Sequence, residues 1–228
     1  EITEGQPIGT IYGYKTDGIV QLGEDLSGIP FFAGKTLRHG DRKYVNKNDD
    51  NVINEDDLFI LGNANPDFTF GFNNTFNFKL RNNSSLGLTV YLQGAVGNEI
   101  VNFNKFSLES FDGYKNNSTA ALNRWTPDNP TNLYPRATTK TAGNILSDHY
   151  VEDGSYLRIK DITLSYTFPA NIIKKFYCEG LTIFAGLKNI HTFTDYSGYD
   201  PEVSRFANNN LSMGADSVSY THLTLPTI

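Results

Sequence analysis

Phe68-Thr69-Phe70-Gly71-Phe72-Asn73-Asn74-Thr75-Phe76-Asn77-Phe78 alternates between aromatic and polar residues. Its even positions are Phe except at Asn74, and its odd positions are Thr, Gly or Asn. Successive side chains of a β-strand point to opposite faces of a sheet, so this stretch predicts a strand with one aromatic and one polar face. The core face of a soluble sandwich usually holds more Val, Ile and Leu.

Three further runs alternate in the same way, at 86–93, 161–168 and 181–187. The polar, turn-rich residues 79–85 predict a hairpin between the first two strands. Several strands reach the about 9–11 residues that cross a bilayer when tilted. Tyr and Phe cluster near predicted strand ends, as in the aromatic girdles of membrane barrels, at Tyr12, Tyr14, Tyr91, Tyr156, Tyr166, Phe168, Phe193 and Tyr196. Tyr also favours strands in general, so alternation alone leaves a membrane barrel and a soluble β-protein both open.

Composition excludes several classes of protein. No run approaches the about 20 apolar residues of a membrane helix, and the mean hydropathy is -0.39. A net charge of -6 argues against nucleic acid as a partner, because phosphate recognition needs a basic surface. The single cysteine, Cys178, cannot form an internal disulfide. No basic and apolar leader begins the sequence, so we expect either a cytosolic protein or a missing start, and the strand pattern favours the second.

Two long polar stretches, about 23–57 and 98–147, separate the strand pairs. Loops of this length are uncommon inside compact domains and are usually functional. Short turns at one end and long loops at the other are typical of an outer-membrane barrel.

The first long stretch contains a candidate calcium loop. Its spacing matches that of EF-hand-type loops, with oxygen donors at Asn46, Asn48, Asp50, the Val52 carbonyl, Asn54 and Asp57. Two features depart from that pattern: Asn51 replaces the usual Gly, and three of the donors are neutral Asn. The alternative is an Asn/Asp-rich turn whose side chains cap its own backbone. We therefore expect no required cofactor, with Ca²⁺ as the one candidate ion.

No catalytic constellation is present in the sequence. The four histidines are scattered, and there is no nucleophile elbow, P-loop or dinucleotide fingerprint. The adjacent carboxylates Glu152 and Asp153 are interpreted as turn residues. Trp125, in the second long stretch, is a candidate for stacking on a substrate sugar, and its alternative role is to pin a Pro-rich loop. We therefore expect no enzymatic activity.

Several segments, read in order, resemble the C-terminal barrel half of the SusC/RagA family of TonB-dependent outer-membrane transporters of Bacteroidota. The matching segments include Tyr12-Gly13-Tyr14-Lys15-Thr16-Asp17-Gly18, Leu61-Gly62-Asn63-Ala64-Asn65-Pro66, Gly71-Phe72-Asn73-Asn74, Leu92-Gln93-Gly94-Ala95-Val96-Gly97-Asn98, Arg124-Trp125-Thr126-Pro127, Val151-Glu152-Asp153-Gly154-Ser155-Tyr156-Leu157-Arg158 and Tyr196-Ser197-Gly198-Tyr199-Asp200-Pro201-Glu202. The order and spacing of these segments cover residues 1–214.

The resemblance implies an all-β fold, in which residues 1–214 supply the C-terminal strands of an antiparallel transmembrane β-barrel of about 22 strands. It also implies a location in the outer membrane, within the lipid bilayer. The implied partners are a SusD-like lipoprotein and TonB, which would act through an N-terminal region missing here, and the implied substrates are oligosaccharides or peptides.

Residues 215–228 depart from the family pattern, and Pro226 would interrupt a strand ladder. We interpret them as an atypical, artefactual tail. The rival to the transporter is a secreted, calcium-stabilised β-sandwich that binds glycans, which would need an apolar core between two sheets and shorter strands.

Overall fold

The computed structural model describes residues 4–111, 116–138, 145–174, 177–202 and 215–216. Their strands are β1 (Thr10–Gly13), β2 (Thr16–Ile19), β3 (Phe31–Phe32), β4 (Arg42–Tyr44), β5 (Val52–Ile53), β6 (Phe59–Asn63), β7 (Phe68–Lys79), β8 (Ser85–Val96), β9 (Glu99–Asn102), β10 (Val151–Asp153), β11 (Tyr156–Thr167), β12 (Thr182–Thr194) and β13 (Ala215–Asp216). Two short α-helices, α1 (Phe103–Leu108) and α2 (Ala170–Ile173), accompany them. In these ranges, no helix has the length and apolar character that crossing a membrane requires.

The chain divides into two compact units. The first contains Glu1–Asn65, Asn98–Asp153 and Ser197–Ile228, and the second contains Pro66–Gly97 and Gly154–Tyr196. The fold is dominated by antiparallel β-structure, which confirms the predicted all-β class.

The second unit is one antiparallel sheet with the strand order β12-β11-β8-β7. Its strands contain 12 or 13 residues, so each is longer than the run that predicted it. The predicted hairpin between β7 and β8 is confirmed, and a single 3-10 turn at Arg81–Asn83 closes it.

The register of this sheet separates its residues into two chemical faces. Phe76 lies beside Leu88, which lies beside Leu164 and then Ala185, in one apolar row across all four strands. The next row, on the opposite face, consists of Thr75, Thr89, Thr163 and Gly186. Asn74 and His191 are the polar residues in register with the apolar face, and Phe184 lies in register with the polar face. The alternation read from one strand therefore holds across the whole sheet.

The apolar face is uncovered. Phe72 is 57% exposed, Ile183 is 57% exposed and Leu187 is 65% exposed. Within the described residues, no second sheet packs on these side chains, so this unit lacks the inner core that a β-sandwich requires. The edge strands β7 and β12 each pair on one side alone in the part of the chain that the structure describes.

The pairing of β11 with β12 contains a β-bulge. The pairing of Ile159 with His191 is followed by the pairing of Asp161 with Lys188, so two residues on β12 oppose one on β11. Asn189, one of those two, has a φ of 50°, a left-handed conformation that Asn tolerates better than most residues. Apolar residues lie on the same face on both sides of this bulge, because the extra residues restore the alternation.

The first unit has a small core of its own. Phe31, Tyr44 and Ile53 are buried together, and Tyr14 and Phe32 pack against them through edge-to-face ring contacts. Its strands pair as β1 with β6, β2 with β4, β3 with β5, and β9 with both β10 and β13. The stretches 23–57 and 98–147, expected as loops, thus contain short strands and belong to this unit.

The tail is described at Ala215–Asp216 alone, which pairs in parallel with β9. Residues 217–228 lie outside the described residues, and so does 203–214. The division at 214/215 stays a prediction.

Candidate functional site

The Asn46–Asp57 loop is coiled by hydrogen bonds from its own backbone. The side-chain oxygen of Asn46 accepts from the N–H groups of Asn48 (3.3 Å) and Asp49 (3.0 Å). Asn48 accepts in the same way from the N–H of Asp50 (3.2 Å), and Asp50 from that of Val52 (2.9 Å). Each of these bonds closes a turn between a side chain and the following backbone, of the kind that Asn and Asp favour.

Asp57 closes the loop from inside the protein. Its side chain is fully buried, and its two carboxylate oxygens accept from the N–H of Lys47 (2.7 Å) and the N–H of Asn54 (2.9 Å). Asn54 in turn accepts from the N–H of Asp56 (2.7 Å), which caps the 3-10 turn Glu55–Asp57. Asp57 thereby ties the start of the loop to its end.

The loop presents the hard oxygen donors that Ca²⁺ prefers. Asn51 adopts the left-handed conformation, with a φ of 66°, in place of the usual Gly. The side-chain oxygens of Asn46, Asn48, Asp50 and Asp57 already accept backbone N–H groups, the arrangement expected of a self-capped turn. Over the described ranges, no three His, Cys, Asp or Glu side chains form a group that could hold a metal. Calcium binding through the Asn oxygens stays a prediction.

Trp125 lies inside the first unit. Its side chain is 5% exposed, and its Nε1–H donates to Oε1 of Gln21 (3.0 Å). The ring lies against Gly40, whose φ is +87°, and a Cβ added there would overlap with Cε3 of Trp125. Beside it, the N–H of Arg136 donates to the carbonyl of Gly40 (2.8 Å). These contacts are those expected of a Trp that holds a Pro-rich loop in place. A Trp that stacks on a substrate sugar would need an exposed ring face.

Replacing Trp125 by Phe tests the two roles. The variant keeps most of the ring packing and loses the hydrogen bond to Gln21, so we expect the local opening free energy to fall by about 0.5–1.5 kcal/mol. Hydrogen exchange of residues 124–136 in the full receptor measures this change, and substrate uptake should stay unchanged. Loss of uptake with unchanged local stability would instead support the stacking role.

Glu152 is a centre of contacts that the sequence analysis missed. Its carboxylate accepts from the backbone N–H of Ser197 (2.9 Å), from the Ser197 hydroxyl (2.7 Å) and from the ammonium of Lys105 (3.1 Å). The side-chain amide of Asn102 also donates to the Ser197 hydroxyl (3.1 Å). The sequence presented Glu152 as a turn residue because its partners lie 45 and 47 positions away along the chain.

Electrostatics favour the ionised form of Glu152. Burial alone raises the pKa of this carboxyl, but the hydrogen bonds from Ser197 and the charge of Lys105 outweigh it and lower the pKa below its ordinary value of 4.5. A folded-state pKa below the unfolded value means that the link to Ser197 stabilises the fold above pH 4.5. The contribution is lost as the pH falls below that value and through the folded-state pKa.

Glu152→Gln should therefore remove a pH-dependent stabilisation. We expect hydrogen exchange at Ser197 to be faster in the variant than in the wild-type receptor at neutral pH, because an amide is a weaker acceptor than a carboxylate. The difference should shrink progressively as both proteins are taken to acidic pH. A difference that stays constant over this range would show that the charge of Glu152 does not stabilise the link.

Known proteins that are similar to this chain are named TonB-dependent receptors. TonB-dependent receptor P3 of Formosa agariphila is 31% identical over 226 residues, which cover 97% of this chain and 22% of that receptor. TonB-dependent receptor SusC of Bacteroides thetaiotaomicron is 27% identical over 169 residues, which cover 70% of this chain and 15% of SusC. The chain thus spans about a fifth of the length of its first relatives. No family model matches the chain.

Solved structures give the same result at the level of the fold. The RagAB peptide importer in its open-open state matches with a TM-score of 0.63 at 20% identity, covering 91% of this chain and 20% of that one. The relatives are named receptors and importers rather than enzymes, which agrees with the prediction that the chain is not an enzyme. The chain therefore belongs to the SusC/RagA-like TonB-dependent receptors.

Proposed function

We propose that this chain is part of an outer-membrane nutrient importer and supplies strands of a transmembrane barrel of about 22 strands. The observation that carries the proposal is the separation of the four-stranded sheet into two faces, one apolar and exposed and one polar. Membrane barrels have this pattern because alternate residues face lipid and the barrel interior.

Strand length and pairing support the same proposal. Strands of 12 or 13 residues are long enough to cross the hydrocarbon core with some tilt. In lipid, every backbone N–H and C=O group needs a partner, so the outer edges of β7 and β12 require neighbouring strands. The longer relatives have the chain length to provide such strands.

The proposed orientation of the sheet in the membrane rests on the lengths of the connections between its strands. The connections from β7 to β8 and from β11 to β12 begin and end at the same end of the sheet, because Ser85, Thr167 and Thr182 are in register there. These connections would face the periplasm, and the longer segments of the first unit would be extracellular. The polar face would line the barrel interior, beside a plug from another part of the protein.

The proposed substrates are oligosaccharides or peptides, and the proposed partners are a SusD-like lipoprotein at the cell surface and TonB. The name of TonB-dependent receptor SusC supports TonB as a partner, and the name of the RagAB peptide importer supports peptides as a substrate class. No nucleic acid is expected, given the net charge of -6.

The proposal includes Ca²⁺ in the Asn46–Asp57 loop, where Asn46, Asn48, Asp50 and the Val52 carbonyl would hold it with Asn54 and Asp57. Chelation by EGTA should then speed proteolysis of this loop in the full receptor, and Asn48→Ala should abolish the response. A cleavage rate that is independent of calcium would leave the self-capped turn as the explanation.

Disrupting the gene of the full receptor tests the transport function. We expect the mutant to lose growth on the oligosaccharide or peptide mixture that the wild type consumes, and we expect a TonB-deficient strain to show the same loss. The intact receptor should be found in the outer-membrane fraction and should copurify with a lipoprotein. A water-soluble secreted protein would contradict the proposal and favour the glycan-binding sandwich.

A further inference from the structure

The first unit contains an open cavity of about 330 Å³ beside α1. One wall is formed by Asn104, Lys105 and Leu108 of the helix, and another by Ser197, Gly198 and Tyr199. The second wall is held in place by Glu152, which binds both the backbone and the hydroxyl of Ser197. Hydrogen bonds between segments that are distant in sequence thus fix the position of the second wall relative to the helix.

The charged groups around the cavity already have partners. The ammonium of Lys105 contacts the Glu152 carboxylate at 3.1 Å. The Glu109 carboxylate, which is 7% exposed, lies 2.8 Å from Nε2 of His149, within hydrogen-bond distance of that ring nitrogen. A charged ligand would have to compete with these partners, so the cavity favours a ligand without net charge.

The open surfaces of the cavity are apolar or amide in character. Tyr199 is 86% exposed and Leu108 is 41% exposed, so a flat ring and an aliphatic side chain are available for contact. In the wall, the amide Nδ2 of Asn104 is buried and has no hydrogen-bond partner within the described residues. Ligand sites commonly combine apolar surface with a few polar groups that orient the ligand.

We infer that this cavity binds one uncharged sugar ring of an oligosaccharide substrate, with Tyr199 as the surface on which the ring stacks. The inference rests on the proposed import function and deepens it by choosing between the two proposed substrate classes. A pyranose combines an apolar C–H face, which suits Tyr199 and Leu108, with hydroxyls that can pair with the side-chain amide of Asn104 and can accept from the ammonium of Lys105.

An extended peptide fits these features less well. Peptide recognition commonly uses a free strand edge for main-chain hydrogen bonds or charged groups that capture a terminus. The cavity wall from α1 is a helix rather than a free strand edge, and the nearby Lys105 and Glu109 already have partners. Peptide binding is therefore the alternative outcome of the test.

The test uses the full receptor, purified from membranes in detergent, and native mass spectrometry to measure binding. The probes are malto-, cello-, laminari-, xylo- and mannohexaose, with a pool of uncharged, end-blocked hexapeptides as the competing class. The variants are Tyr199→Ala, Tyr199→Phe and Tyr177→Ala. Tyr177 is a matched control because it is also a fully exposed tyrosine, at 101%, and belongs to the second unit.

We expect at least one hexaose to bind the wild type and Tyr199→Ala to weaken that binding about tenfold, the effect of losing one aromatic contact. Tyr177→Ala should bind like the wild type, and Tyr199→Phe, which keeps an aromatic ring, should bind more tightly than Tyr199→Ala. Unchanged hexaose binding by Tyr199→Ala would show that the sugar does not bind at Tyr199, and the proposed site would be wrong.

A wild-type receptor that binds the peptides and none of the hexaoses would overturn the substrate class. The import function would survive this result, because growth on peptides would still depend on the receptor and on TonB. Failure of the import function would appear elsewhere, as a receptor absent from the outer membrane or a gene disruption without effect on growth.

Discussion

Leu88→Arg should prevent the full receptor from folding in the outer membrane, whereas Thr89→Arg on the same strand should be tolerated. Leu88 lies in the apolar row between Phe76 and Leu164, on the face that we propose contacts lipid. An Arg near the bilayer midplane costs about 2–4 kcal/mol on the lipid face of a barrel. Thr89 lies between Thr75 and Thr163 on the polar face, where a charged side chain stays hydrated.

The measurement is the amount of folded receptor in the outer-membrane fraction, resolved by the different electrophoretic mobilities of heated and unheated samples. We expect the folded band of Leu88→Arg to fall at least tenfold relative to that of Thr89→Arg. Equal losses in both variants would show that the two faces are not in different environments, and the proposed position of the sheet in the membrane would be wrong.

Asp57→Ala should open the Asn46–Asp57 loop. The substitution leaves the part-buried N–H groups of Lys47 and Asn54 without the carboxylate that accepts from them. Water can replace part of what is lost at part-buried donors, so we expect the local stability to fall by about 1–3 kcal/mol in total. Hydrogen exchange at Lys47 and Asn54 in the full receptor would report this change directly.

Asp56→Ala is the matched control for this prediction. Asp56 is the adjacent carboxylate in the same 3-10 turn, and its side chain is exposed. The control should leave exchange at Lys47 and Asn54 unchanged. If both variants destabilised the loop equally, the effect would come from the loss of negative charge in general rather than from the hydrogen bonds of Asp57.

The sheet was predictable from the sequence because its signal is local. The alternation around Phe72 indicates which residues share a face without knowledge of any partner strand. The ends of the strands were less predictable. Tyr91 was expected near a strand end, yet β8 continues to Val96 through Gly94 and Ala95, residues with little strand preference of their own. Pairing with β7 on one side and β11 on the other keeps that segment extended.

The candidate sites depended on contacts that a single sequence does not reveal. The spacing of Asp57 marked it as a loop residue, but not as the buried acceptor for Lys47 and Asn54. Trp125 and Gln21 are 104 positions apart, and nothing in either segment indicates that they meet. Tyr199 and Glu152 lay inside segments that carried the family resemblance, yet their roles become visible once α1 and Ser197 are seen beside them.

The pairing of β9 with β10 has a consequence for the kinetics of folding. The hairpins β7–β8 and β11–β12 form from local contacts, but the contact between β8 and β11 must close the roughly sixty residues between them, and the entropic cost of closure rises with the length of the loop. Residues Val101 and Val151, in register on β9 and β10, close almost the same loop from within the first unit. Once that unit has formed, about two residues on each side separate the paired strands from the two hairpins, so the remaining search is short. Formation of the first unit before the sheet would therefore shorten the loop that the pairing of β8 with β11 has to close.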